Sequence, residues 1–128
     1  MTPRILIADK MDKVAVDIFT ARGITADVKT GLTPSDLAAI IGDYDGVAVR
    51  STTKITADVL ANPGKLRVIG RAGIGVDTVD VPSATRAGIV VMNTPFGNSV
   101  TTAEHTIAMM MSLARQIPQA NVSTHAGK

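Results

Sequence analysis

The sequence has no cysteine and no tryptophan, and its 128 residues include one tyrosine and two phenylalanines. Without cysteine the chain has neither a disulfide framework nor thiolate chemistry, which fits a reducing cytoplasmic compartment. The sequence also lacks a large excess of charge of either sign, because thirteen Lys and Arg against eleven Asp and Glu leave a net charge of only +2. The basic residues are scattered rather than clustered, so nucleic-acid binding is not indicated.

Long apolar runs and metal-ligand patterns are missing as well. No stretch approaches the ~20 apolar residues of a membrane-spanning helix, and the N-terminus lacks the apolar run of a signal peptide. No spacing of His, Asp or Glu resembles a metal site. We therefore expect a cytoplasmic protein whose partners include neither a membrane nor nucleic acid, and we expect no metal.

Short aliphatic segments are plentiful instead. Five runs rich in β-branched residues recur at intervals of about twenty residues and have strand length. They are residues 4–8, 26–30, 46–49, 66–70 and 89–92. Four are apolar on successive residues, as in strands covered on both faces, and the weaker second run is interpreted as an edge strand.

Helical spacing fills the gaps between these runs. The first helix has an apolar face of Val14, Ile18 and Phe19, and the second begins at the N-cap Thr33. Shorter helices are predicted at residues 56–60 and 81–87. Asp9 is interpreted as a solvated acid near the start of the first helix. The alternation predicts an α/β fold, a flavodoxin-like doubly wound parallel five-stranded sheet.

The pattern changes near residue 98 to a long apolar helix. Thr101 and Glu104 have the spacing of a capping box, and residues 107–117 are apolar on nearly every side until Pro118. A helix this apolar needs cover on most of its surface. The chain supplies no later element to cover it, so we expect the natural protein to continue.

Polar residues follow the third, fourth and fifth strands, where ligands bind in open α/β sheets. Arg50 and Arg71 each present a fork of donors that matches phosphate or carboxylate. The glycines of Gly73-Ile74-Gly75 let backbone N–H groups approach an anion. The alternatives are ordinary surface arginines and a tight turn, since Thr78 replaces the third glycine of a dinucleotide fingerprint.

Segments at these same loops resemble the D-isomer-specific 2-hydroxyacid dehydrogenases. They are residues 49–56, 69–80 and 91–99. Two further segments, residues 103–106 and 114–120, resemble the branch of that family that acts on 3-phosphoglycerate. The resemblance extends in order over essentially the whole chain. It implies NAD-dependent oxidation of 3-phosphoglycerate to 3-phosphohydroxypyruvate in the first step of serine biosynthesis.

The resemblance also implies a domain organisation. Residues 1–98 would be the N-terminal part of a discontinuous substrate-binding domain. Residues 99–128 would be the hinge and first helix of an inserted Rossmann domain that binds NAD and builds a homodimer or homotetramer. The catalytic Arg, Glu and His of such enzymes lie further along the chain. We therefore expect no catalytic residue within these 128 residues and no dehydrogenase activity from this chain alone.

Site residues follow from the resemblance by matching position. Arg50 and Arg71 would hold the phosphate of 3-phosphoglycerate or 3-phosphohydroxypyruvate. The backbone of Ala72 and Gly73 would cradle the carboxylate. Pocket-wall contacts are assigned to Ser51 and Asn98, and a cofactor contact beside the nicotinamide to Ile74.

Two other functions remain open at this point. One stays within the family: a glyoxylate or hydroxypyruvate reductase, or a transcriptional corepressor built on the same fold. Hydroxypyruvate needs only its carboxylate held, whereas Arg50 with Arg71 favours a phosphorylated substrate. A receiver-type signalling domain would begin much like residues 5–9. It would need an Asp after the third strand and a Lys after the fifth, where Arg50-Ser51 and Asn93-Thr94 stand.

Overall fold

The computed structural model describes residues 2–128. The chain divides into two compact units, of which the first ends at Pro95 and the second is Phe96–Lys128. The first unit contains the strands β1 (Arg4–Ile7), β2 (Thr25–Val28), β3 (Gly46–Val49), β4 (Val68–Arg71) and β5 (Val90–Met92). All pairings are parallel and the strand order is β2-β1-β3-β4-β5, which is the flavodoxin-like order. The predicted fold class is confirmed, and β2 is an edge strand as predicted.

Three helices connect these strands, namely α1 (Lys13–Ala21), α2 (Pro34–Ile40) and α3 (Val81–Arg86). Each begins at a polar N-cap whose side chain accepts a hydrogen bond from the first turn. Thr33 caps α2 as predicted, in a capping box with Asp36. Beyond α1 and α3, Gly23 and Gly88 adopt φ +70°, which glycine reaches without steric cost.

The helix predicted at residues 56–60 is wrong. The segment forms a single turn, in which the N–H of Leu60 donates to the carbonyls of Thr56 and Ala57 (both 3.1 Å). Five residues supply too few hydrogen bonds to offset the cost of nucleating a helix. The turn instead follows Ile55, which forms an isolated parallel bridge with Val79.

The hydrophobic core lies on the face of the sheet that α2 and α3 cover. Strand residues on this face, such as Leu6, Val47 and Ile69, pack with Leu37 of α2 and Ala84 of α3. Successive strand residues point to opposite faces, so this face takes every second residue of each strand. The core therefore anchors β1, β3 and β4, whose carboxyl ends carry the candidate site.

The opposite face of the sheet is only partly covered, by α1. The predicted apolar face of α1 is not buried: Val14 and Ile18 are 57% and 50% exposed, and no residue of this helix is buried. Beside α1 a groove of about 420 Å³ opens over β3, β4 and β5, with Ala48, Gly70 and Met92 in its lining. The residues that line this groove all belong to the first unit, and no residue of α1 is buried.

The second unit contains α4 (Ser99–Ala114) and α5 (Ile117–His125). The predicted capping box is wrong, because α4 begins at Ser99 and Thr101 lies inside it. The predicted helix end near residue 117 is also displaced. Proline lacks the N–H of a helical hydrogen bond, so the chain breaks before Pro118, with Gln116 at φ 50°. Pro118 then occupies the first turn of α5, where proline is tolerated.

Candidate functional site

Arg50, the first residue after β3, is held through its backbone from two sides. Its N–H donates to Asp9 Oδ2 (2.6 Å), and its carbonyl accepts from Arg71 Nε (3.1 Å) and Thr78 Oγ1 (3.5 Å). The side chain is exposed, and its one protein contact is from Nη1 to the carbonyl of Lys10 (3.2 Å). The backbone is thus fixed while most of the guanidinium remains available to a ligand.

Asp9 is buried, with 5% of its surface exposed, so its interpretation as a solvated acid is wrong. The carboxylate accepts hydrogen bonds from the N–H of Arg50, the N–H of Thr53 (3.1 Å) and the hydroxyl of Thr53 (2.7 Å). Burial alone would raise the pKa of Asp9. The hydrogen bonds from the Thr53 hydroxyl and from the backbone of Arg50, Thr53 and Thr52 outweigh burial and hold this pKa below its usual range.

Arg71, the last residue of β4, folds its side chain back over the turn that follows. Nε donates to the Arg50 carbonyl, Nη1 donates to the carbonyl of Gly75 (2.5 Å), and Nη2 lies 3.4 Å from Asp77 Oδ1. The Arg71 side chain is 11% exposed, whereas that of Asp77 is 77% exposed. The Arg71 guanidinium is therefore mostly enclosed, and the exposed Asp77 carboxylate lies against its Nη2 atom.

The two glycines of this turn make room for the Arg71 side chain. A Cβ at Gly73 would lie 2.8 Å from Arg71 Nη1, and a Cβ at Gly75 would lie 2.7 Å from Asp77 Oδ1. Neither glycine is among those with positive φ. The pair is thus explained by close packing against a side chain, which favours the tight-turn alternative over a fragment of a dinucleotide fingerprint.

The backbone N–H groups of the turn differ in what they can bind. The N–H of Ala72 donates to the last carbonyl of β3 (2.8 Å), and that of Gly73 to the carbonyl two residues before it (2.9 Å). In the described part of the chain, the N–H groups of Ile74 and Gly75 have no acceptor. The open donors of the turn therefore lie two positions beyond those expected from the sequence.

The loop after β5 supports the same turn from the other side. Asn93 Nδ2 donates to the carbonyl of Ile74 (2.6 Å), and the N–H of Thr94 donates to the carbonyl of Gly73 (2.9 Å). Both bonds use carbonyl groups of the turn and leave its free N–H groups untouched. Asn93 is therefore more than a turn former, because it fixes how those N–H groups are presented.

Six of the expected site residues lie together at the carboxyl ends of β3 and β4. They are Arg50, Ser51, Arg71, Ala72, Gly73 and Ile74. Ser51 is exposed, and Ile74 presents an apolar side chain that is 46% exposed. Asn98 belongs to the second unit, where it precedes α4 without a side-chain cap.

Neither a membrane span nor a metal site is present in the part of the chain that the structure describes. No helix of residues 2–128 is long and apolar enough to cross a bilayer. Over the same residues, no group of three or more His, Cys, Asp or Glu side chains is placed to hold a metal ion.

Known proteins match this chain over almost its whole length. The family model described as D-isomer specific 2-hydroxyacid dehydrogenase, catalytic domain, matches residues 5–127. D-3-phosphoglycerate dehydrogenase of Synechocystis sp. is 47% identical over 125 residues, which are 98% of this chain and 22% of that protein. This chain thus spans less than a quarter of that relative's length.

Solved structures of similar fold include larger proteins. The PH0520 protein from Pyrococcus horikoshii OT3 superposes with a TM-score of 0.84 at 31% identity, over 99% of this chain and 38% of that chain. The 3-phosphoglycerate dehydrogenase of Entamoeba histolytica, solved with NAD⁺ bound, gives a TM-score of 0.75 at 29% identity, over 88% of this chain and 39% of that chain.

Proposed function

Because the chain belongs to the D-isomer specific 2-hydroxyacid dehydrogenase family, we propose that it is the substrate-binding portion of an NAD-dependent D-3-phosphoglycerate dehydrogenase. Members of this family are oxidoreductases. The proposed reaction oxidises 3-phosphoglycerate to 3-phosphohydroxypyruvate, in the first step of serine biosynthesis. The observation that carries the proposal is Arg50, an exposed guanidinium on a fixed backbone, next to Arg71 and to open N–H groups.

The phosphate end of the substrate is assigned to the two arginines. Arg50 offers most of its donors, because only its bond to the Lys10 carbonyl is made within the protein. Arg71 offers the Nη2 edge beside Asp77, so a bound phosphate would replace a weak, exposed ion pair. Ser51, exposed beside Arg50, is assigned to the pocket wall together with Asn98.

The carboxylate end is assigned to the turn after β4. Ala72 and Gly73 shape this turn, but their own N–H groups already donate within the protein. We assign the carboxylate to the N–H groups of Ile74 and Gly75, which have no acceptor among residues 2–128. Two adjacent backbone donors that converge on one anion are a common carboxylate site.

The cofactor is assigned mainly to residues outside this chain. NAD supplies the hydride acceptor when it is bound, and this sequence holds no complete G-x-G-x-x-G turn to bind its pyrophosphate. The exposed side chain of Ile74 fits an apolar contact beside the nicotinamide ring. The residues of this chain would bind and orient the substrate, and the proton and hydride transfers would need groups supplied by the rest of the enzyme.

The domain organisation is also a proposal. We assign residues 1–98 to a discontinuous substrate-binding domain and residues 99–128 to the hinge and first helix of a cofactor domain. The open groove over β3–β5 supports the proposal that the first domain is discontinuous and is completed by a further segment. The exposed apolar side chains of α4, such as Met109 and Leu113, support a homodimer or homotetramer formed through the second.

The test uses the protein encoded by the complete reading frame that contains this chain. Formation of NADH would be followed with D-3-phosphoglycerate and with D-glycerate, and each assay repeated with NADP⁺. We expect a kcat/KM for the phosphorylated acid at least ~100-fold higher, as two charge-assisted phosphate contacts imply. An equal or reversed preference would instead make the protein a reductase of small 2-oxoacids such as glyoxylate or hydroxypyruvate.

A further inference from the structure

We propose that Asp9 is a positioning residue, whose buried carboxylate sets the conformation of the loop 50–53 and thereby aims Arg50 at the substrate. The inference rests on the proposed function, because it assumes that Arg50 binds the substrate. Asp9 itself would not touch the substrate, since its carboxylate already accepts hydrogen bonds from the protein. Its role is therefore distinct from that of the arginines.

The sheet brings Asp9 to this loop although 41 residues separate it from Arg50. Strands β1 and β3 are parallel neighbours, and the N–H of Ala8 donates to the carbonyl of Ala48 (3.0 Å). Asp9 follows Ala8 and so stands beside the end of β3. The register of these two strands, rather than local sequence, thus determines that an acid at position 9 meets the loop 50–53.

The carboxylate of Asp9 bonds both ends of that loop. One oxygen accepts from the N–H of Arg50 (2.6 Å), and the other accepts from the hydroxyl of Thr53 (2.7 Å). The N–H of Thr53 lies within 3.2 Å of both oxygens. Among the described residues, no cationic side chain forms an ion pair with Asp9, so hydrogen bonds from this loop, including one from the Thr52 backbone, stabilise its charge.

The next residue extends the same control to the guanidinium of Arg50. Arg50 Nη1 donates to the carbonyl of Lys10 (3.2 Å). The segment Asp9-Lys10 therefore holds Arg50 at its backbone N–H and at its side chain. If the carboxylate were lost, the N–H of Arg50 would lose its acceptor and the loop would be free to turn away from the position that β3 gives it.

Substitutions at positions 9 and 53 separate this role from simple stability. Asp9→Asn keeps the size of the side chain but replaces one carboxylate oxygen with an NH2 group. That group is a donor, and it would face the donors of Arg50 and Thr53 instead of accepting from them. Thr53→Val removes the hydroxyl with little change of shape, and Thr53→Ser keeps it. Thr20→Val is the matched control, because it removes an exposed hydroxyl that donates to the Val16 carbonyl (2.9 Å) near the end of α1 and touches neither Asp9 nor the loop 50–53.

The variants would be made in the complete enzyme. Steady-state kinetics would give kcat and the KM values for 3-phosphoglycerate and NAD, and urea unfolding would give stability. For Asp9→Asn we expect the KM for 3-phosphoglycerate to rise about tenfold or more, with the KM for NAD within about twofold of wild type. Thr53→Val should raise the same KM a few-fold, while Thr53→Ser and Thr20→Val should leave it unchanged.

The outcomes separate this inference from the proposed function. If Asp9→Asn loses stability but keeps the wild-type KM for 3-phosphoglycerate, Asp9 is only structural and the inference is wrong. If the wild-type enzyme fails to oxidise 3-phosphoglycerate, the proposed function is wrong. Amide hydrogen exchange at Arg50 and Thr53 then decides the remaining point: faster exchange in Asp9→Asn supports Asp9 as the residue that holds the loop, and unchanged exchange refutes it.

Discussion

At the residue scale, the two arginines at the candidate site have different roles. Arg50 projects from a fixed backbone, and most of the donors of its guanidinium are available. The Arg71 guanidinium instead donates to the carbonyls of Arg50 and Gly75 and lies against the Asp77 carboxylate. Both were predicted from the sequence as site residues because each directly follows an apolar run. Asp9 was missed, because its partners are more than forty positions away and only the strand register brings them to it.

Lysine substitutions test this difference between the arginines. Arg71→Lys should raise the KM for 3-phosphoglycerate about tenfold or more and lower the free energy of unfolding by ~1–3 kcal/mol, because a single ammonium cannot replace three separate contacts. Arg50→Lys should raise the KM while changing the unfolding free energy by less than ~0.5 kcal/mol, since its side chain is exposed. Kinetics and urea unfolding of both variants provide the measurement, and wild-type stability of Arg71→Lys would contradict the structural role.

At the scale of elements, the sequence predicted the regular parts of the sheet well. Runs of β-branched residues place every strand to within two residues, because short aliphatic runs at regular intervals are typical of the strands of a parallel sheet. Predictions from short motifs were weaker. Thr101 and Glu104 have capping-box spacing but lie inside α4, and residues 56–60 form only one turn. In each case the local pattern is compatible with more than one conformation, so the motif alone does not fix where a helix begins or whether it forms.

The contact between Gly42 and Gly64 gives a prediction at this scale. A Cβ at Gly64 would lie 2.5 Å from the carbonyl oxygen and 2.7 Å from the Cα of Gly42, and Gly64 has φ +54°. Gly64→Ala should therefore lower the free energy of unfolding by ~2–4 kcal/mol, because backbone must move.

Gly88→Ala is the matched control for that substitution. Gly88 has φ +70°, but a Cβ there would meet nothing within 4 Å. The Gly88→Ala variant should therefore lose only ~1 kcal/mol of unfolding free energy, which is what a left-handed conformation costs a residue with a side chain. Urea unfolding of the two variants measures both values. Equal losses would show that the Gly42 contact is not as tight as the structure has it.

At the scale of the whole molecule, the chain consists of two compact units that each leave apolar surface open. The first has an exposed groove beside α1, and no residue of α4 or α5 is buried in the second. The sequence predicted an uncovered apolar helix after residue 98, because its apolar residues surround the helix axis. The sequence did not predict the open sheet face, because a strand whose face is covered by a helix and a strand whose face is left uncovered have the same apolar pattern.

The stability of the molecule should also depend on acid pH. The hydrogen bond from Arg4 holds the pKa of Asp27 below its usual range, and the pKa of Asp9 is lowered by its hydrogen bonds despite burial. These two carboxylates bind protons more readily in the unfolded chain than in the folded one. Their contribution to the free energy of unfolding is therefore complete above the unfolded pKa and is lost as pH falls through the folded pKa. The free energy of unfolding should be nearly constant down to about pH 5 and decline below about pH 4.

Urea unfolding at a series of pH values would measure this decline. Asp9→Asn and Asp27→Asn should each make the acid decline shallower, because one lowered pKa is removed in each variant. A decline as steep as that of the wild type in both variants would show that other groups control the acid transition.

We propose that Arg50 binds the phosphate of a phosphorylated 2-hydroxyacid. The most direct measurement is kcat/KM of the complete enzyme and of its Arg50→Met variant, with D-3-phosphoglycerate and with D-glycerate. The substitution should reduce kcat/KM at least about tenfold for the phosphorylated acid, as loss of a charge-assisted contact predicts, and less than about twofold for D-glycerate. An equal loss for both acids, or no loss for either, would contradict the account.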